Sequence, residues 1–366
     1  MNRASRSSVL ALGLIGCSSA FYTQRSNAVW FQHPSHSMKS LLARFTAPEV
    51  PELGPGEVPI ERSWQEPTSL PTLPGGGIGR HPMLYAGEGY NNLILVRDGK
   101  VIWNYFTGAK GELDDVWLLS NGNILFSRQW QVEEVNPQKE IVWHYDVPAG
   151  AEVHSCQPIG LDRVLMVQNG LPPKLLIINK KTSAIEVEHE LPAVSLTDPK
   201  TVHPQFRRIR MTAAGTYLVP FLKLDKVVEY DKQFHELWSC PIPTPWAAAR
   251  LHNGNTLITD EHDKLVREVD KTCRTVWEFG QNDLPAGIVF HNTQSSERLA
   301  NGNTVIFSST GGTKREERAD IIQAVEVTPD KKVVWILKDW KHLGPATTAQ
   351  FLDQPGLPEK PGTLQR

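Results

Sequence analysis

The sequence predicts an all-β protein, a six-bladed β-propeller closed by a C-terminal strand that completes the first blade. Two repeating features carry this prediction. The tripeptide Asn-Gly-Asn begins at positions 121, 253 and 301, each time just before an apolar strand. Tryptophan recurs in later strands, at Trp103, Trp143, Trp238, Trp277 and Trp335. Repeats of about forty residues, built from four short strands with Asn-Gly turns, are typical of propeller blades.

The spacing of the tryptophans favours a ring of similar units. Trp103 and Trp143 are 40 residues apart, and Trp238 and Trp277 are 39 apart. The interval of 95 residues between Trp143 and Trp238 leaves room for two repeats, one of which lacks the tryptophan. Each Asn-Gly-Asn predicts a two-residue hairpin, because Asn and Gly tolerate the positive φ of a primed turn. A β-sandwich would give no reason for such regular spacing.

Five blades can be read continuously along the chain, and a sixth is split between its two ends. The continuous blades are predicted at Asp114 to Tyr145, His154 to Leu191, Gln205 to Cys240, Trp246 to Phe279 and Thr293 to Leu337. Three strands between residues 84 and 106 lack an inner partner. Residues 347–353 resemble residues 295–301, which begin the last continuous blade. We therefore expect residues 347–353 to complete the first blade and to remove two exposed sheet edges.

The first seventeen residues carry an export signal. Arg3 and Arg6 precede the apolar run from Val9 to Gly16, which is too short to span a bilayer as a mature helix. The run ends in Leu-Ile-Gly-Cys17, which resembles the bacterial lipobox, a motif that implies lipidation of the cysteine and removal of what precedes it. We expect a lipid-anchored protein of the cell envelope, facing the periplasm or the cell surface. A soluble periplasmic or secreted protein, or a true start at Met38, remains an alternative.

The rest of the chain divides into a tether, the propeller and a short tail. Residues 18–82 are predicted to form the tether, or a strap over the domain, since eight prolines lie between positions 47 and 82. The propeller is predicted at 83–356 and the tail at 357–366. The formal charge of -2 predicts no attraction to nucleic acid, and the apolar content of 40% is too low for a multi-span membrane protein. We expect a monomer that meets the membrane only through its lipid.

Three cysteines follow Cys17, too few for a disulfide framework. They are Cys156, Cys240 and Cys273. Because Cys240 and Cys273 fall in different repeats, we expect free buried thiols, although the two could pair in an oxidising periplasm.

The blade sequence RLHNGNTLITDEHDKLVREVDKTCRTVWEF, at 250–279, resembles the quinoprotein-like (PQQ-repeat-type) propeller repeat and the related repeat of bacterial arylsulfotransferases. The resemblance runs from about Met83 to Asp353 and implies the propeller fold. Arylsulfotransferases use a channel histidine as sulfuryl acceptor with a nearby arginine, so His291, or His203 with Arg207, could play those parts. A quinone cofactor is disfavoured. Quinoprotein dehydrogenases have eight blades and an adjacent cysteine pair, whereas this sequence predicts six blades and has no Cys-Cys.

Candidate functional residues lie at the starts of the inner strands, which converge on a funnel at the mouth of the central channel. The predicted catalytic residues are His154, His203, His291 and Arg207. The predicted ligand-binding residues are Asp114, Gln157, Gln205, Trp246, Asn292 and Gln294. Arginine grips carboxylate or sulfate, tryptophan offers a stacking face, and histidine serves as acid, base, nucleophile or metal ligand.

This combination suits a small anionic or polyhydroxylated ligand, such as a saccharide or an aromatic conjugate. No cofactor is predicted outright, but three histidines with a glutamine leave a divalent metal open. Two classes of function also stay open. One is an enzyme, either similar to arylsulfotransferases or a sugar lyase or hydrolase, and the other is a binding or scaffolding propeller of the cell envelope.

The remaining histidines and the repeated arginines are assigned structural roles. Arg210, Arg250 and Arg298 occupy nearly equivalent positions before the hairpins, so we expect them to join neighbouring blades. Histidines in outer strands or turns are expected at the surface, namely His144, His189, His235, His252 and His262.

Overall fold

The strands of the computed structural model form six sheets, which confirms the predicted six-bladed propeller. The structure describes residues 41–42, 44–45, 73–87, 91–108, 111–309, 321–340 and 342–366. The predicted signal peptide and Cys17 lie outside these residues. Within the described part of the chain, no helix is long and apolar enough to cross a membrane.

Each blade is an antiparallel sheet of four strands, except that the inner strand of blade 3 is in two pieces. From the inner to the outer edge, the strands are Thr348–Phe351, Met83–Gly87, Asn92–Arg97 and Lys100–Phe106 in blade 1; Leu113–Leu118, Ile124–Arg128, Gln131–Val135 and Ile141–Asp146 in blade 2; Glu152–Val153 with Gln157–Ile159, Arg163–Asn169, Lys174–Asn179 and Ile185–Glu190 in blade 3; Arg210–Met211, Tyr217–Phe221, Lys226–Tyr230 and Glu236–Pro241 in blade 4; Pro245–Arg250, Thr256–Asp260, Leu265–Val269 and Thr275–Gly280 in blade 5; and Asn292–Arg298, Thr304–Ser309, Ala324–Val327 and Val333–Leu337 in blade 6. Within the described residues, three short 3-10 helices lie outside the sheets, at Gly77–Gly79 before the first strand and at Pro199–Thr201 and Gln281–Asp283 between strands.

The predicted closure of the ring is confirmed. The strand Thr348–Phe351 pairs with the first strand of blade 1 in the register Met83 with Phe351 and Ala86 with Thr348. This pairing gives blade 1 its inner strand, so that the two ends of the propeller are joined by a ladder of backbone hydrogen bonds.

The Asn-Gly-Asn hairpins differ in detail from the prediction. In the first of them, the Gly122 amide donates to the Leu119 carbonyl and the Leu119 amide donates to the Asn123 carbonyl. Of these residues only Gly122 has a positive φ, of 94°. The loop is therefore a three-residue turn with glycine in the left-handed position rather than a two-residue primed turn. Asn123 also donates to Glu134 in the third strand (2.6 Å), which explains the second asparagine of the repeat.

Three of the repeated tryptophans fasten their blade to the next one. The indole Nε1 of Trp103 donates to the Pro137 carbonyl in blade 2, at 3.0 Å. Trp238 and Trp277 make the equivalent bond to Lys271 and Pro329, each at 3.0 Å, in the next blade. Each bond of this kind uses one tryptophan per repeat, which accounts for the spacing of about forty residues between neighbouring tryptophans.

The arginines assigned to inter-blade structure do join blades. Arg250 bonds to Glu229 of blade 4 and lies over the Trp238 ring (5.0 Å). Arg298 repeats the arrangement with Glu268 of blade 5, at 2.7 Å. Arg210 instead reaches across the channel to Asp115 of blade 2, at 2.9 and 3.1 Å.

The hydrophobic core consists of six clusters, one between each pair of neighbouring blades. The cluster between blades 6 and 1 contains Tyr85, Phe307, Trp335 and Phe351, all almost fully buried. Because every blade presents one apolar face to each neighbour, burial of these faces drives the sheets into a ring.

The described end of the predicted tether packs as a strap on blades 6 and 1. The indole of Trp335 donates to the Gly77 carbonyl (2.8 Å). This carbonyl takes the place of the acceptor that the next blade supplies to Trp103, Trp238 and Trp277. The buried His81 ring lies between Asp353 (Nδ1 to Oδ2, 2.8 Å) and Glu326 (Nε2 to Oε2, 3.2 Å). This part of the tether is therefore fixed to the propeller by polar contacts at the seam where the ring closes.

The last fourteen residues, 353–366, cross the face of the ring that carries the Asn-Gly-Asn hairpins. The Gly160 amide of blade 3 donates to the Glu359 carbonyl (2.8 Å) and the Arg298 amide of blade 6 to Gln365 (3.0 Å). The Arg366 guanidinium enters the channel and donates to the Val116 carbonyl of blade 2, at 2.9 Å. This segment covers one end of the channel.

The expectation of free thiols at Cys240 and Cys273 is wrong. The two cysteines form a disulfide, with Cα atoms 5.6 Å apart. Their strands belong to different repeats, but the outer parts of blades 4 and 5 are adjacent in the ring, as the bond from Trp238 to Lys271 also shows. Cys156 is a free buried thiol.

The His81 contacts predict a pH-dependent stability. Burial lowers the pKa of His81, but the hydrogen bonds to Asp353 and Glu326 outweigh it and raise the pKa to about 9. The resulting stabilisation is fully present below pH 6.5 and is lost as the pH rises through 9. We expect His81→Gln to lower the free energy of unfolding by up to about 3 kcal/mol at pH 6, and by much less at pH 9.5.

Urea unfolding of the parent and of His81→Gln at both pH values measures this difference. The exposed His144 provides the control variant, His144→Gln. Equal destabilisation by His81→Gln at the two pH values would show that His81 acts through packing alone.

Candidate functional site

Six polar side chains meet where the inner strands of blades 2, 3 and 4 begin. They form what we call the entrance cluster: Glu112, Asp114, Glu152, His154, His203 and Arg207. The cluster lies at the end of the channel opposite to residues 353–366, because the inner strands all run from this end towards the hairpins.

Blades 2 and 3 place the carboxylates and the buried histidine. Glu112 immediately precedes the inner strand of blade 2, and Asp114 is the second residue of that strand. Glu152 begins the inner strand of blade 3, which breaks after Val153 and puts His154 outside the ladder. Residues two apart on an extended chain point to the same side, so each pair faces the channel mouth together.

His203 and Arg207 lie on irregular chain that leads into blade 4. His203 follows the short helix Pro199–Thr201. Isolated bridges from Phe206 to Phe221 and from Arg208 to Ala247 fix the next residues against blades 4 and 5. The loop can therefore present two functional side chains while its ends are held by sheet structure.

His154 is completely buried among three carboxylates. Its Nδ1 lies 2.9 Å from Asp114 and 3.2 Å from Glu112, and its Nε2 lies 3.0 Å from Glu152. Burial and the nearby Arg207 lower the pKa of His154, but hydrogen bonds to the three carboxylates outweigh them and raise it to about 10. At neutral pH this ring is therefore an imidazolium that binds the three carboxylates.

His203 is the accessible member of the cluster, with 45% of its side chain exposed. Its Nδ1 lies 2.8 Å from Glu152, and its Nε2 lies 3.3 Å from Glu112 and 3.1 Å from the Arg207 guanidinium. Burial would raise the pKa of Glu152, but hydrogen bonds from His154 and His203 hold it well below its usual range. An ionised carboxylate thus orients a half-exposed imidazole, an arrangement suited to proton transfer.

Arg207 extends the site towards blade 5. Its guanidinium donates to the carbonyls of His203 and Phe206 and lies 4.6 Å from the centre of the Trp246 ring. Burial raises the pKa of Glu261, and the Arg207 charge lowers it in part. The arginine therefore connects the predicted residue Trp246 with the cluster.

Other predicted site residues have different surroundings. His291 lies in blade 6, opposite blade 3 in the ring, and its Nδ1 is 3.1 Å from the Ser309 carbonyl of the same blade. Gln157 bonds to the Met211 backbone and Gln205 to the Gly170 carbonyl. Two predicted residues, Asn292 and Gln294, belong to the inner strand of blade 6. The structure thus brings together His154, His203, Arg207, Asp114 and Trp246, and places the other five elsewhere in the ring.

Sequence reasoning missed Glu112 and Glu152, although a signal for them exists. Each glutamate stands two residues before a predicted site residue, in Glu112-x-Asp114 and Glu152-x-His154. Alternation along an extended strand predicts that such pairs share a face. The five histidines expected at the surface are indeed exposed: His144, His189, His235, His252 and His262.

The cluster also contains a set of metal-ligand atoms. Glu112, His154 and His203 each offer one such atom, and the three atoms lie within 4.8 Å of one another. The fold and this site define the chain as a six-bladed β-propeller with a histidine and carboxylate cluster at the mouth of its channel.

Comparisons with known proteins support the fold. No family model matches the chain. No curated protein matches it. A crystal structure of a protein of unknown function from Bacteroides caccae is similar, with a TM-score of 0.65, 25% identity, and coverage of 73% of this chain and 97% of that one.

Two further solved structures are more distant. A streptogramin B lyase has a TM-score of 0.49 and 11% identity, over 74% of this chain and 85% of that one. BamB from Moraxella catarrhalis has a TM-score of 0.42 and 10% identity, over 67% and 69%. Neither likeness bears on the function of this chain.

The different burial of His154 and His203 predicts losses of stability of different size. His154→Ala leaves three carboxylates facing one another without their cation, so we expect a loss of about 3–5 kcal/mol in the free energy of unfolding. His203→Ala removes a half-exposed ring and should cost no more than about 1 kcal/mol. Urea unfolding of both variants in EDTA tests this, and equally small losses would show that His154 does not hold the carboxylates together.

Proposed function

We propose that this protein is an exported propeller that binds a small anionic or polyhydroxylated ligand at the entrance cluster and transfers a proton through His203. The observation that carries the proposal is the contact of His203 with both Glu152 (2.8 Å) and Arg207 (3.1 Å), on a ring that is 45% exposed. An oriented imidazole beside a fixed guanidinium fits acid-base chemistry on an anion better than it fits a purely structural role.

The surroundings favour a saccharide or an aromatic conjugate as the ligand class. Arg207 supplies a buried positive charge, and its Nε makes no hydrogen bond within the described residues, so it is a donor for an oxygen of a carboxylate or sulfate. Trp130 is 44% exposed and follows Gln129, which donates to Glu152 at 3.0 Å. An exposed indole next to a polar site offers a stacking face for a sugar ring or an aryl group.

Two reaction types fit this geometry. In one, similar to the arylsulfotransferases that the repeat resembles, His203 would accept the sulfuryl group while Arg207 binds its oxygens. In the other, His203 would act as the base of a sugar lyase or hydrolase, with Glu152 orienting it. His203 suits both types better than His291, because Arg207 and Glu152 lie beside it.

Export as a lipid-anchored monomer completes the proposal. Its support is the run from Arg3 to Cys17 and the Cys240–Cys273 disulfide, because disulfides persist in oxidising compartments. A lipid on Cys17 would hold the propeller at the envelope, with the following residues as the connection.

Replacement of Cys17 tests the anchor. In a Gram-negative host we expect the parent in the membrane fraction, labelled by fatty acid, and Cys17→Ser in the soluble fraction or unprocessed, because no thiol is left to carry the lipid. Ser19→Ala is the matched control and should fractionate as the parent does. A parent that is soluble and unlabelled would exclude the lipid anchor.

A ligand screen tests the site itself. We expect purified protein to bind at least one member of a panel of sulfated sugars, uronic acid oligomers and aryl sulfates, measured by isothermal titration calorimetry. Arg207→Gln should weaken that binding about 10- to 100-fold, since it removes a charged hydrogen-bond donor. His203→Ala should abolish any turnover while leaving the protein folded.

The exposed His144 gives the control for this screen, and His144→Ala should bind as the parent does. Binding that survives Arg207→Gln unchanged, or a folded parent that binds no panel member, would refute the proposed site.

A further inference from the structure

We propose that the entrance cluster is a binding site for one divalent transition-metal ion, of the zinc and manganese class, held by Glu112, His154 and His203. The inference rests on the ligand-binding part of the proposed function, because the metal would sit where the anionic ligand binds. With one ring nitrogen on the metal and the other hydrogen-bonded, His203 would hold the ion, and the ion would replace this ring in the chemistry. The inference identifies how the cluster would hold that ligand.

The ligand atoms come from three different blades or their connections. Glu112 precedes blade 2, His154 interrupts the inner strand of blade 3, and His203 lies before blade 4. Their ligand atoms nevertheless lie within 4.8 Å of one another. Metal ligands 2.0–2.2 Å from a common centre stand about 3–4 Å apart, so small side-chain movements bring these atoms onto one ion.

Further polar groups orient the ligands from outside. His154 has a carboxylate at each ring nitrogen, Asp114 at Nδ1 (2.9 Å) and Glu152 at Nε2 (3.0 Å). Whichever nitrogen binds the metal, the other keeps a carboxylate partner. Gln129 in turn donates to Glu152, at 3.0 Å. Carboxylate partners of this kind fix the ring orientation of metal-binding histidines.

The charge of the cluster favours a dication. Three carboxylates, those of Glu112, Asp114 and Glu152, converge here at 22%, 2% and 17% exposure. Two guanidinium groups lie near them: Arg207 is 3.9 Å from Glu112, and Arg208 donates to the Asp114 carbonyl. A divalent ion would add positive charge directly between the carboxylates, inside a largely buried site where unpaired charge is costly.

The ligand types select the metal. Two imidazoles and one carboxylate suit zinc, manganese, iron or nickel, whereas calcium and magnesium prefer sites made of oxygen ligands alone. Among the described residues this group supplies three ligands, and the exposed face of His203 leaves room for a fourth. A carboxylate or sulfate oxygen could fill that position while Arg207 binds a second oxygen of the same group.

Metal titration of the folded chain tests the inference. We expect EDTA-treated, dialysed protein to bind zinc chloride with 1:1 stoichiometry by isothermal titration calorimetry, manganese chloride more weakly, and magnesium chloride negligibly. Glu112→Gln, which preserves shape, and His203→Ala should each weaken zinc binding about 100-fold or more. Circular dichroism establishes that both variants are folded.

Exposed residues of the same types give matched controls. Glu140→Gln and His144→Ala should bind zinc as the parent does. Substoichiometric zinc binding by the parent, or binding that Glu112→Gln and His203→Ala leave unchanged, would overturn the metal site.

Arg207→Gln separates this inference from the proposed function. This variant should retain zinc and lose the anionic ligand. If the protein binds a panel ligand equally well with EDTA and with zinc, the metal site fails and the ligand site stands. If it binds zinc through Glu112 and His203 but no panel ligand, the metal site stands and the proposed function fails.

Discussion

The rest of the structure depends on the pairing of Thr348–Phe351 with Met83–Gly87. This short ladder supplies the inner strand of blade 1, and its residues also bind other blades. Gln350 accepts a hydrogen bond from the Leu118 amide of blade 2, at 2.7 Å. The neighbouring Thr347 carbonyl accepts from Ser295 of blade 6 (2.9 Å) and Arg208, which precedes blade 4 (3.4 Å). Closing the ring thus also sets the positions of inner strands that are distant in sequence.

Charged side chains fill the middle of the channel and pair with one another. Asp115 is fully buried and lies 2.9 Å from Arg210 and 3.7 Å from Arg366. Burial raises the pKa of Asp115, but the surrounding arginines outweigh it and lower the pKa. Burial also lowers the pKa of Arg208, to about 9. This middle layer is paired and residues 353–366 cover one end of the channel, so the entrance cluster lies at the opposite end.

The sequence predicts the fold well because the signals of a blade are local. Asn-Gly-Asn and the tryptophan act within one repeat or on the next, so their spacing counts most of the blades, and the likeness of residues 347–353 to 295–301 completes the split one. Contacts across the ring have no such signal. The Cys240–Cys273 pairing depends on which outer strands are adjacent, and the separation of His291 from His154 depends on blade 6 facing blade 3 across the channel.

The site could be predicted in part for the same reason. His154 and His203 come at the starts of inner strands, which predicts that they lie at the mouth of the channel. The structure places them there. This position does not show on which side of the channel a residue lies, so residues of opposite blades were assigned to one site. The two glutamates were not predicted, because their only signal is the alternation along an extended strand that places Glu152 on the same side as His154.

Departures from the repeat mark the site better than any one residue type. In blades 2, 4, 5 and 6 a tryptophan of the outer strand pairs with a glutamate of the third strand, as Trp277 pairs with Glu268. In blade 3 these positions hold Val187 and Ile177, and its inner strand is broken. The inner strand of blade 4 is reduced to two residues. These two irregular blades carry or adjoin His154, His203 and Arg207.

A stable repeat protein has no structural reason to break its own pattern in two adjacent units, since each break removes ladder bonds and inter-blade contacts. Blades 2, 5 and 6 show that this chain can build regular inner strands of six or seven residues. We therefore attribute the irregular backbone in blades 3 and 4 to the side chains that it places at the mouth of the channel. It places two imidazoles, a carboxylate and a guanidinium at the entrance end of the channel, beside Glu112 and Asp114 of blade 2.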